Sequence, residues 1–268
     1  KAPKLYPPLV RLLPCINNEP DNIPSIFYLS TLNPKVDEAL NSISVDQGLG
    51  LAAIPIHRDI VFGIDEMGKT KGGQIRFRIQ EPKSWPDGWE KELVNQILLC
   101  SKNKIAIAAL PELCGSPRVW EVVRKALLKC KNNFPILFIA GSWHTDIVTS
   151  RGNSSFVNRL SVFSAFDPYE SLIIHDKFEP FAENGYKEEN EPGTKGLTFL
   201  VTSIGVIAFG ICKDLFVERA SREPKAQDQI NAALPFLTVC PAMTATIREP
   251  LRSASTLFKI SILFFWSR

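Results

Sequence analysis

The chain has 268 residues, of which 45% are hydrophobic and 22% are charged, a composition that is typical of a globular protein and excludes a fibrous or disordered one. Its 31 Lys and Arg residues nearly balance its 28 Asp and Glu residues, so the formal charge is only +3. So small a charge provides no basic surface for nucleic acid, which we exclude as a partner. The longest apolar runs fall far below the roughly 18 residues that a membrane span needs, and we expect a cytoplasmic protein without a membrane partner.

Residues 1–73 are rich in Pro, Asn and Asp and contain only short apolar groups. This composition predicts an irregular N-terminal region, or part of an upstream module, whose role is unknown. Strand-like and helix-like segments alternate regularly only from residue 74 onward. We therefore predict a boundary at the paired glycines before that point and a second unit over residues 74–268.

The second unit alternates between two kinds of pattern. Its strands show period-two alternation or continuous apolar runs, and its helices show capping signals followed by apolar residues at helical spacing. Asp87, followed three residues later by Glu90, is a predicted helix cap, and Ser116 followed by Pro117 is another. Predicted strands cover 74–80, 105–110, 135–140, 155–166, 171–175, 197–203, 206–212 and 236–240, and predicted helices cover 87–102, 117–130, 214–222, 228–233 and 249–259. The fifth strand is expected to form a hairpin with the fourth, and the seventh with the sixth through a turn at Gly205. A polar loop is expected over 178–196. This order predicts an α/β fold with antiparallel pairs inside a mixed sheet.

Three segments place a reactive side chain directly after an apolar strand. They are A-L-P-E-L-C-G-S with Glu112, I-I-H-D-K-F-E-P-F with Lys177, and A-F-G-I-C-K-D-L-F with Cys212. Strand ends are where open α/β sheets place their active sites. A nucleophilic cysteine needs a base that takes its proton, and acyl transfer needs a positive group where the oxyanion forms. Glu, Lys and Cys together supply these roles.

The three segments, in this order, resemble the nitrilase superfamily of carbon-nitrogen hydrolases. Pro192-Gly193 and the run C-P-A-M at 240–243 extend the resemblance, which covers about residues 74–268. It implies a four-layer α-β-β-α sandwich, here expected to be truncated at the C-terminus because the family continues with further strands. It also implies a small-molecule substrate, a homodimer or larger oligomer, and neither a metal nor an organic cofactor. Covalent linkage to other domains of a longer chain is a further expectation.

The resemblance assigns a role to each member of the Glu-Lys-Cys triad. Cys212 would attack the carbon of an amide or, as the less expected substrate, a nitrile. Glu112 would act first as general base and then as general acid, and Lys177 would stabilise the tetrahedral intermediate. The backbone N–H of Lys213 would complete the oxyanion hole. The implied enzyme is an amidase-like hydrolase of non-peptide carbon-nitrogen bonds.

A second glutamate often follows the lysine in this family. Here the run P-F-A-E offers Glu183 for that position, with Glu179 as the alternative. The sequence departs from the family at Lys213, where many members carry an aromatic residue after the cysteine. This departure leaves the substrate class open.

Two other interpretations compete with the triad. Cysteine–histidine catalysis is the commoner thiol chemistry, and His175 is the best-placed histidine. It lies two residues before Lys177 and so on the same strand face, which makes it a candidate for lining the site or a core histidine. The alternative to an enzyme is a catalytically idle or accessory module of a larger protein, which binds a small molecule or a partner.

The other five cysteines lie in unlike contexts without a C-x-x-C pair. This pattern predicts neither a disulfide framework nor a zinc site. Because free cysteine behaves as a small hydrophobic residue, we expect these five to be buried structural thiols.

Overall fold

The computed structural model describes residues 24–43, 48–56, 59–130, 132–148, 152, 154–183, 185–190, 196–216, 226–243 and 265–266. The helices in these ranges are α1 (Leu29–Leu32), α2 (Pro34–Asn41), α3 (Trp89–Lys102), α4 (Pro117–Leu127), α5 (Lys213–Phe216) and α6 (Ala226–Ala233). The strands are β1 (Ser25–Tyr28), β2 (Leu51–Ala53), β3 (Gly63–Lys69), β4 (Ile75–Gln80), β5 (Ile107–Ala109), β6 (Leu137–Val148), β7 (Ser154–Phe163), β8 (Ile173–Asp176), β9 (Ala182–Glu183), β10 (Tyr186–Glu188), β11 (Thr198–Thr202), β12 (Gly205–Phe209), β13 (Leu237–Val239), β14 (Ala242–Met243) and β15 (Phe265–Trp266).

These strands form three sheets and one isolated pair. Sheet 1 has the order β2-β5-β6-β7-β8, sheet 2 the order β1-β11-β12-β13, and sheet 3 the order β3-β4-β10-β9, while β14 pairs with β15. In sheet 1 the first three strands are parallel and the last three antiparallel. Both predicted hairpins are confirmed, because β7 pairs with β8 and β11 pairs with β12 in antiparallel fashion.

Sheets 1 and 2 pack face to face. Ile107 and Ile139 of sheet 1 share a buried apolar core with Leu200 and Phe209 of sheet 2. Successive strand residues point to opposite faces of a sheet, so Phe138, the neighbour of Ile139, lies in a different core, which sheet 1 shares with α3 and α4. The continuous apolar runs in the sequence arise because these strands are covered on both faces.

The outer face of sheet 2 is covered by α6. Phe199 and Ala208 of that sheet pack in a third core with Ile230 and Ala233 of the helix. The layers therefore run from α3 and α4 through sheets 1 and 2 to α6. The predicted four-layer α-β-β-α architecture is confirmed.

The N-terminal residues take part in both sheets, which differs from the prediction. Strand β1 is hydrogen-bonded to β11 at one edge of sheet 2, and β2 to β5 at one edge of sheet 1. Leu29, Val36 and Leu40 of α1 and α2 are fully buried in the core between the sheets. The boundary predicted after residue 73 thus does not separate two structural units. Edge strands of three or four residues need only short apolar groups, which made this region look irregular in the sequence.

Two further expectations differ from the structure. Helix α3 begins after Gly88, which has φ +78° and no side chain to cap the helix, so Asp87 does not supply the predicted cap. The predicted loop over 178–196 contains β9 and β10, and β10 forms a strand because β4 pairs with it. The predicted helix over 249–259 lies outside the described residues. Within the ranges that are described, no helix is both long and apolar enough to cross a membrane.

Candidate active site

Cys212 lies in a tight turn between β12 and α5. Its φ of +45° is in the left-handed region, which costs a non-glycine residue free energy and persists only where neighbouring contacts hold it. Two backbone hydrogen bonds hold it here: the Cys212 N–H donates to the carbonyl of Pro241 at 3.0 Å, and the N–H of Leu215 donates to the Cys212 carbonyl at 3.1 Å. The residue is buried, and its thiol lies close enough to Glu112 for the charge of that carboxylate to raise the pKa of the thiol.

Glu112 lies in the turn that follows β5, and this turn packs directly on β6. The next residue, Leu113, has φ +56° and donates its N–H to Ser142 Oγ at 3.1 Å. Gly141 has φ +71°, and a Cβ at this position would lie only 2.1 Å from the carbonyl oxygen of Pro111. The close approach of the two backbones, which requires glycine, therefore holds the Glu112 turn in place.

Lys177 follows β8 and is anchored by its backbone on both sides. Its N–H donates to the carbonyl of Asn158 at 2.8 Å, and its carbonyl accepts from Asn190 Nδ2 at 2.9 Å. Its Nζ donates to Glu112 Oε1 at 2.8 Å and to Glu188 Oε2 at 2.7 Å, and the side chain is 1% exposed. Burial by itself lowers the pKa of the Lys177 amine, but the two carboxylates outweigh it and hold this pKa well above its ordinary value. Lys177 is therefore an ammonium ion.

Glu188, in β10, is held by four donors and is 2% exposed. One of its oxygens accepts from Lys177 Nζ and from the N–H of Phe181, and the other accepts from Asn158 Nδ2 at 2.8 Å and from His144 Nε2 at 3.0 Å. Burial raises the pKa of the Glu188 carboxyl, but the Lys177 charge and the His144 hydrogen bond outweigh burial and lower it. Glu188 therefore stays ionised.

His144 has a defined tautomer. Its Nδ1 accepts the backbone N–H of Ile79, in β4, at 3.0 Å, so the ring hydrogen is on Nε2 and is donated to Glu188. His144 belongs to sheet 1, whereas Ile79 and Glu188 belong to sheet 3. The imidazole thus fastens sheet 3, which carries the second carboxylate, to the sheet that carries Lys177.

The structure brings the three side chains of the predicted triad together. Burial raises the pKa of the Cys212 thiol, and the charge of Glu112 raises it further, although the charge of Lys177 acts in the opposite direction. The Cys212 thiol is therefore protonated and lies near a carboxylate that can accept its proton. If such a thiol acted as a nucleophile, a base would have to remove its proton in the same step as the attack.

The second carboxylate is not one of the two that the sequence suggested. Glu183 lies in β9, where its backbone pairs with Tyr186, and the backbone N–H of Glu179 donates to Asp214 Oδ1 at 2.9 Å. The carboxylate that contacts Lys177 belongs to Glu188. No local motif marks Glu188, because its position depends on the pairing of β10 with β4, which is distant in the sequence.

His175 and Lys213 each have a definite position near the triad. His175 Nε2 is hydrogen-bonded to Asp214 Oδ2 at 2.9 Å, and its Nδ1 is 3.0 Å from Thr198 Oγ1. Both ring nitrogens are therefore engaged away from Cys212. Lys213 directly follows the cysteine and begins α5, and its Nζ lies 5.8 Å from the centre of the Phe181 ring. In the described part of the chain, no group of three His, Cys, Asp or Glu residues is arranged to hold a metal ion.

Neither a known sequence family nor a curated protein matches the chain by sequence. Its structure is similar to that of a carbon-nitrogen hydrolase from Helicobacter pylori G27, with 16% identity and a TM-score of 0.43 over 62% of this chain and 60% of that one. It is also similar to Saccharomyces cerevisiae Nit3, a member of branch 10 of the nitrilase superfamily, with 20% identity and a TM-score of 0.45 over 68% and 71% of the two chains. An amidase from Nesterenkonia sp. gives 12% identity and a TM-score of 0.44 over 66% and 68%. The chain thus spans less than two thirds of the length of the Helicobacter enzyme.

Replacing Glu188 by Gln is expected to lower the free energy of unfolding by about 3 kcal/mol at neutral pH, because Lys177 loses one of its two buried counter-ions. The pKa of Glu188 is lower in the folded state than its ordinary value of 4.5, so its stabilising contribution is present above pH 4.5 and declines as the pH falls below that value. Urea unfolding of the wild-type and variant proteins between pH 3 and 7 measures the difference in their free energies of unfolding, which should become smaller in acid.

The matched control is the neighbouring residue. Glu189 is 30% exposed and pairs with a half-exposed Arg76 at 3.0 Å, so Glu189→Gln should cost less than about 1 kcal/mol. Equal losses for the two variants, or a difference that does not change with pH, would contradict a buried and ionised Glu188.

Proposed function

We propose that the protein is a hydrolase of the nitrilase superfamily, which cleaves a non-peptide carbon-nitrogen bond of a small amide through a thioester on Cys212. One observation carries the proposal. A single buried carboxylate, Glu112, accepts a hydrogen bond from the ammonium of Lys177 at 2.8 Å, and the charges of both groups act on the thiol of Cys212. A nucleophile, a base and a cation would thus surround one substrate carbonyl group.

In the first half of the reaction, the Cys212 sulfur attacks the amide carbon while Glu112 accepts the thiol proton. The carbonyl oxygen becomes an oxyanion, which the Lys177 ammonium and the backbone N–H of Lys213 stabilise. When the intermediate collapses, Glu112 returns the proton to the leaving nitrogen. Ammonia departs and the acyl group remains on sulfur as a thioester.

In the second half, water replaces the thiol as the nucleophile. Glu112 accepts a proton from water, the hydroxide attacks the thioester carbon, and the same oxyanion donors act again. Collapse of this intermediate breaks the carbon-sulfur bond, and Glu112 gives its proton back to the Cys212 sulfur. The products are a carboxylic acid and the free enzyme, and no step of this scheme requires a cofactor.

The contacts of His175 support a glutamate base rather than cysteine–histidine catalysis. Its two ring nitrogens are taken up by Asp214 and by Thr198. The charge of Glu112, in contrast, acts directly on the thiol. A proton acceptor must be within hydrogen-bond reach of the proton that it takes, and both ring nitrogens of His175 are already bonded elsewhere.

The proposal is tested by ammonia release and by intact-protein mass spectrometry with a panel of short-chain amides and nitriles. We expect ammonia release from at least one amide and a mass increase equal to its acyl group when the reaction is quenched in acid. Cys212→Ala should lose both signals. Cys240→Ala is the matched control, because Cys240 is also buried beside the turn, with Sγ 3.8 Å from the Cys212 carbonyl oxygen, and it should retain both.

Two outcomes would change the assignment. Turnover of nitriles but not of amides would make the protein a nitrilase. Amides that bind to the protein without releasing ammonia or acylating Cys212 would identify an accessory binding module instead of an enzyme.

A further inference from the structure

Asp214 joins the two turns that carry Cys212 and Lys177. Its Oδ2 accepts the backbone N–H of Ile211, the residue before Cys212, at 2.9 Å. Its Oδ1 accepts the backbone N–H groups of Phe178 and Glu179, the two residues after Lys177, at 3.1 and 2.9 Å. One carboxylate therefore holds the backbone on both sides of the reaction centre.

His175 holds this carboxylate from the side of sheet 1. Its Nε2 is 2.9 Å from Asp214 Oδ2, and the two side chains are 1% and 0% exposed. A carboxylate accepts, so Nε2 carries a hydrogen. The other ring nitrogen is 3.0 Å from Thr198 Oγ1, and Thr198 belongs to β11 of sheet 2. The imidazole thus bridges the two sheets at the level of the two turns.

The Cys212 turn needs such support. A non-glycine residue at φ +45° lies in a strained region that is retained only when the surrounding contacts determine it. Asp214 closes this turn with two hydrogen bonds to Ile211. Its N–H donates to the Ile211 carbonyl at 3.0 Å, and its side chain accepts the Ile211 N–H at 2.9 Å. A carboxylate that shifts would move both the sulfur and the ammonium.

We propose that His175 and Asp214 form a positioning pair, which sets the distance between the Cys212 sulfur and the Lys177 ammonium. This inference rests on the proposed function for its catalytic meaning. Neither residue touches the reacting atoms in this assignment. They act through backbone hydrogen bonds to Ile211 and Phe178, and a displacement of about 1 Å between reacting groups can cost about 100-fold in rate.

The pair differs from the other buried histidine-carboxylate contact. His144 is hydrogen-bonded to Glu188, and Glu188 in turn accepts a hydrogen bond from Lys177 Nζ. Losing His144 would therefore disturb the charge around the ammonium. Losing His175 would leave Glu112, Glu188 and Lys177 in contact with one another. It would instead allow the position of Cys212 relative to these three side chains to vary. The reactivity of Cys212 is therefore the property that reports on the pair.

The experiment measures the rate at which iodoacetamide alkylates Cys212, by peptide mapping, together with kcat and KM for an amide that the protein hydrolyses. His175→Leu is expected to lower both the alkylation rate and kcat by about tenfold or more, with KM changed less than threefold. His175→Gln is expected to recover most of the loss, because its amide N–H can occupy the place of Nε2 and donate to Asp214. Recovery of the alkylation rate and of kcat by glutamine, but not by leucine, would show that the hydrogen bond to Asp214 is needed and that a side chain of similar volume is not enough.

A double-mutant cycle tests whether the two residues act as one unit. Asp214→Asn should lower the alkylation rate, and adding His175→Leu to it should cost little more, since contacting residues that act together are not additive. Ile174→Ala is the control on the same strand, because that side chain is 40% exposed, and it should alkylate at the wild-type rate.

The inference is overturned if His175→Leu, shown to be folded by its circular dichroism, keeps the alkylation rate and kcat within twofold of wild type. If His175→Leu does not fold, Thr198→Val removes only the hydroxyl that holds the ring, and an unchanged alkylation rate in that variant would also overturn it. Alkylation does not require turnover. A wild-type protein that releases no ammonia would therefore refute the proposed function while the positioning pair could still be measured.

Discussion

Lys177→Met should abolish detectable amide hydrolysis and lower the free energy of unfolding by about 3 to 5 kcal/mol. Methionine fills nearly the same space but carries no charge, so Glu112 and Glu188 would face each other in a buried site without a counter-ion. The oxyanion would also lose its cation, and oxyanion donors contribute about 100-fold to 1000-fold in rate. Urea unfolding and ammonia release measure the two effects on the same preparation.

The control for this variant is Lys187→Met. Lys187 lies in the same part of the chain, in β10, but is exposed, and its replacement should change the free energy of unfolding by no more than about 0.5 kcal/mol. A Lys177→Met protein that keeps more than a few per cent of wild-type turnover would show that the ammonium is not the oxyanion donor.

Gly141→Ala should lower the free energy of unfolding by about 3 kcal/mol or more and should also reduce turnover strongly. Two costs combine at this position. The φ of +71° is unfavourable for alanine, and the added Cβ would lie 2.1 Å from the carbonyl oxygen of Pro111. Relief of this clash requires Pro111 to move, and the adjacent Glu112 would move with it. Calorimetry and ammonia release together check the expectation.

Gly73→Ala separates the two costs. Gly73 has φ +82°, close to that of Gly141, but an added Cβ there would meet no atom within 4 Å. Its replacement should therefore cost only about 1 kcal/mol, from the backbone conformation alone, and should leave turnover unchanged. Similar losses for both variants would mean that the backbone of β6 does not hold the Glu112 turn.

Much of the local structure follows from patterns within short segments. Ser116 and Pro117 predicted the start of α4, and the structure has Ser116 Oγ accepting the N–H of Val119 at 3.4 Å. The hairpin at Gly205 was equally readable, because an apolar run on each side of a glycine encodes it. Signals of this kind depend only on residues that are close in sequence, so they can be recognised without knowing the rest of the fold.

Longer-range features were less accessible. The short strand β1 joins sheet 2 only because β11, distant along the chain, offers it a hydrogen-bonding edge. The same holds for β10. Its three residues have the composition of a polar loop, and they form a strand because β4 pairs with them. A strand of three or four residues has too short a pattern for its period to be recognised, and so its partner decides its conformation.

The residues of the candidate site also fall into these two groups, those predicted from local sequence and those placed by long-range contacts. The sequence by itself selected Glu112, Lys177 and Cys212 as candidate site residues, because each directly follows a strand-like segment, and it indicated the layered α/β architecture. Only the tertiary structure decided which carboxylate is the second partner of Lys177 and which carboxylate joins the turns that carry Cys212 and Lys177. Glu188 and Asp214 hold these positions through hydrogen bonds to residues of other strands and turns, and no spacing within one segment encodes a contact between segments that meet only when the sheets pack.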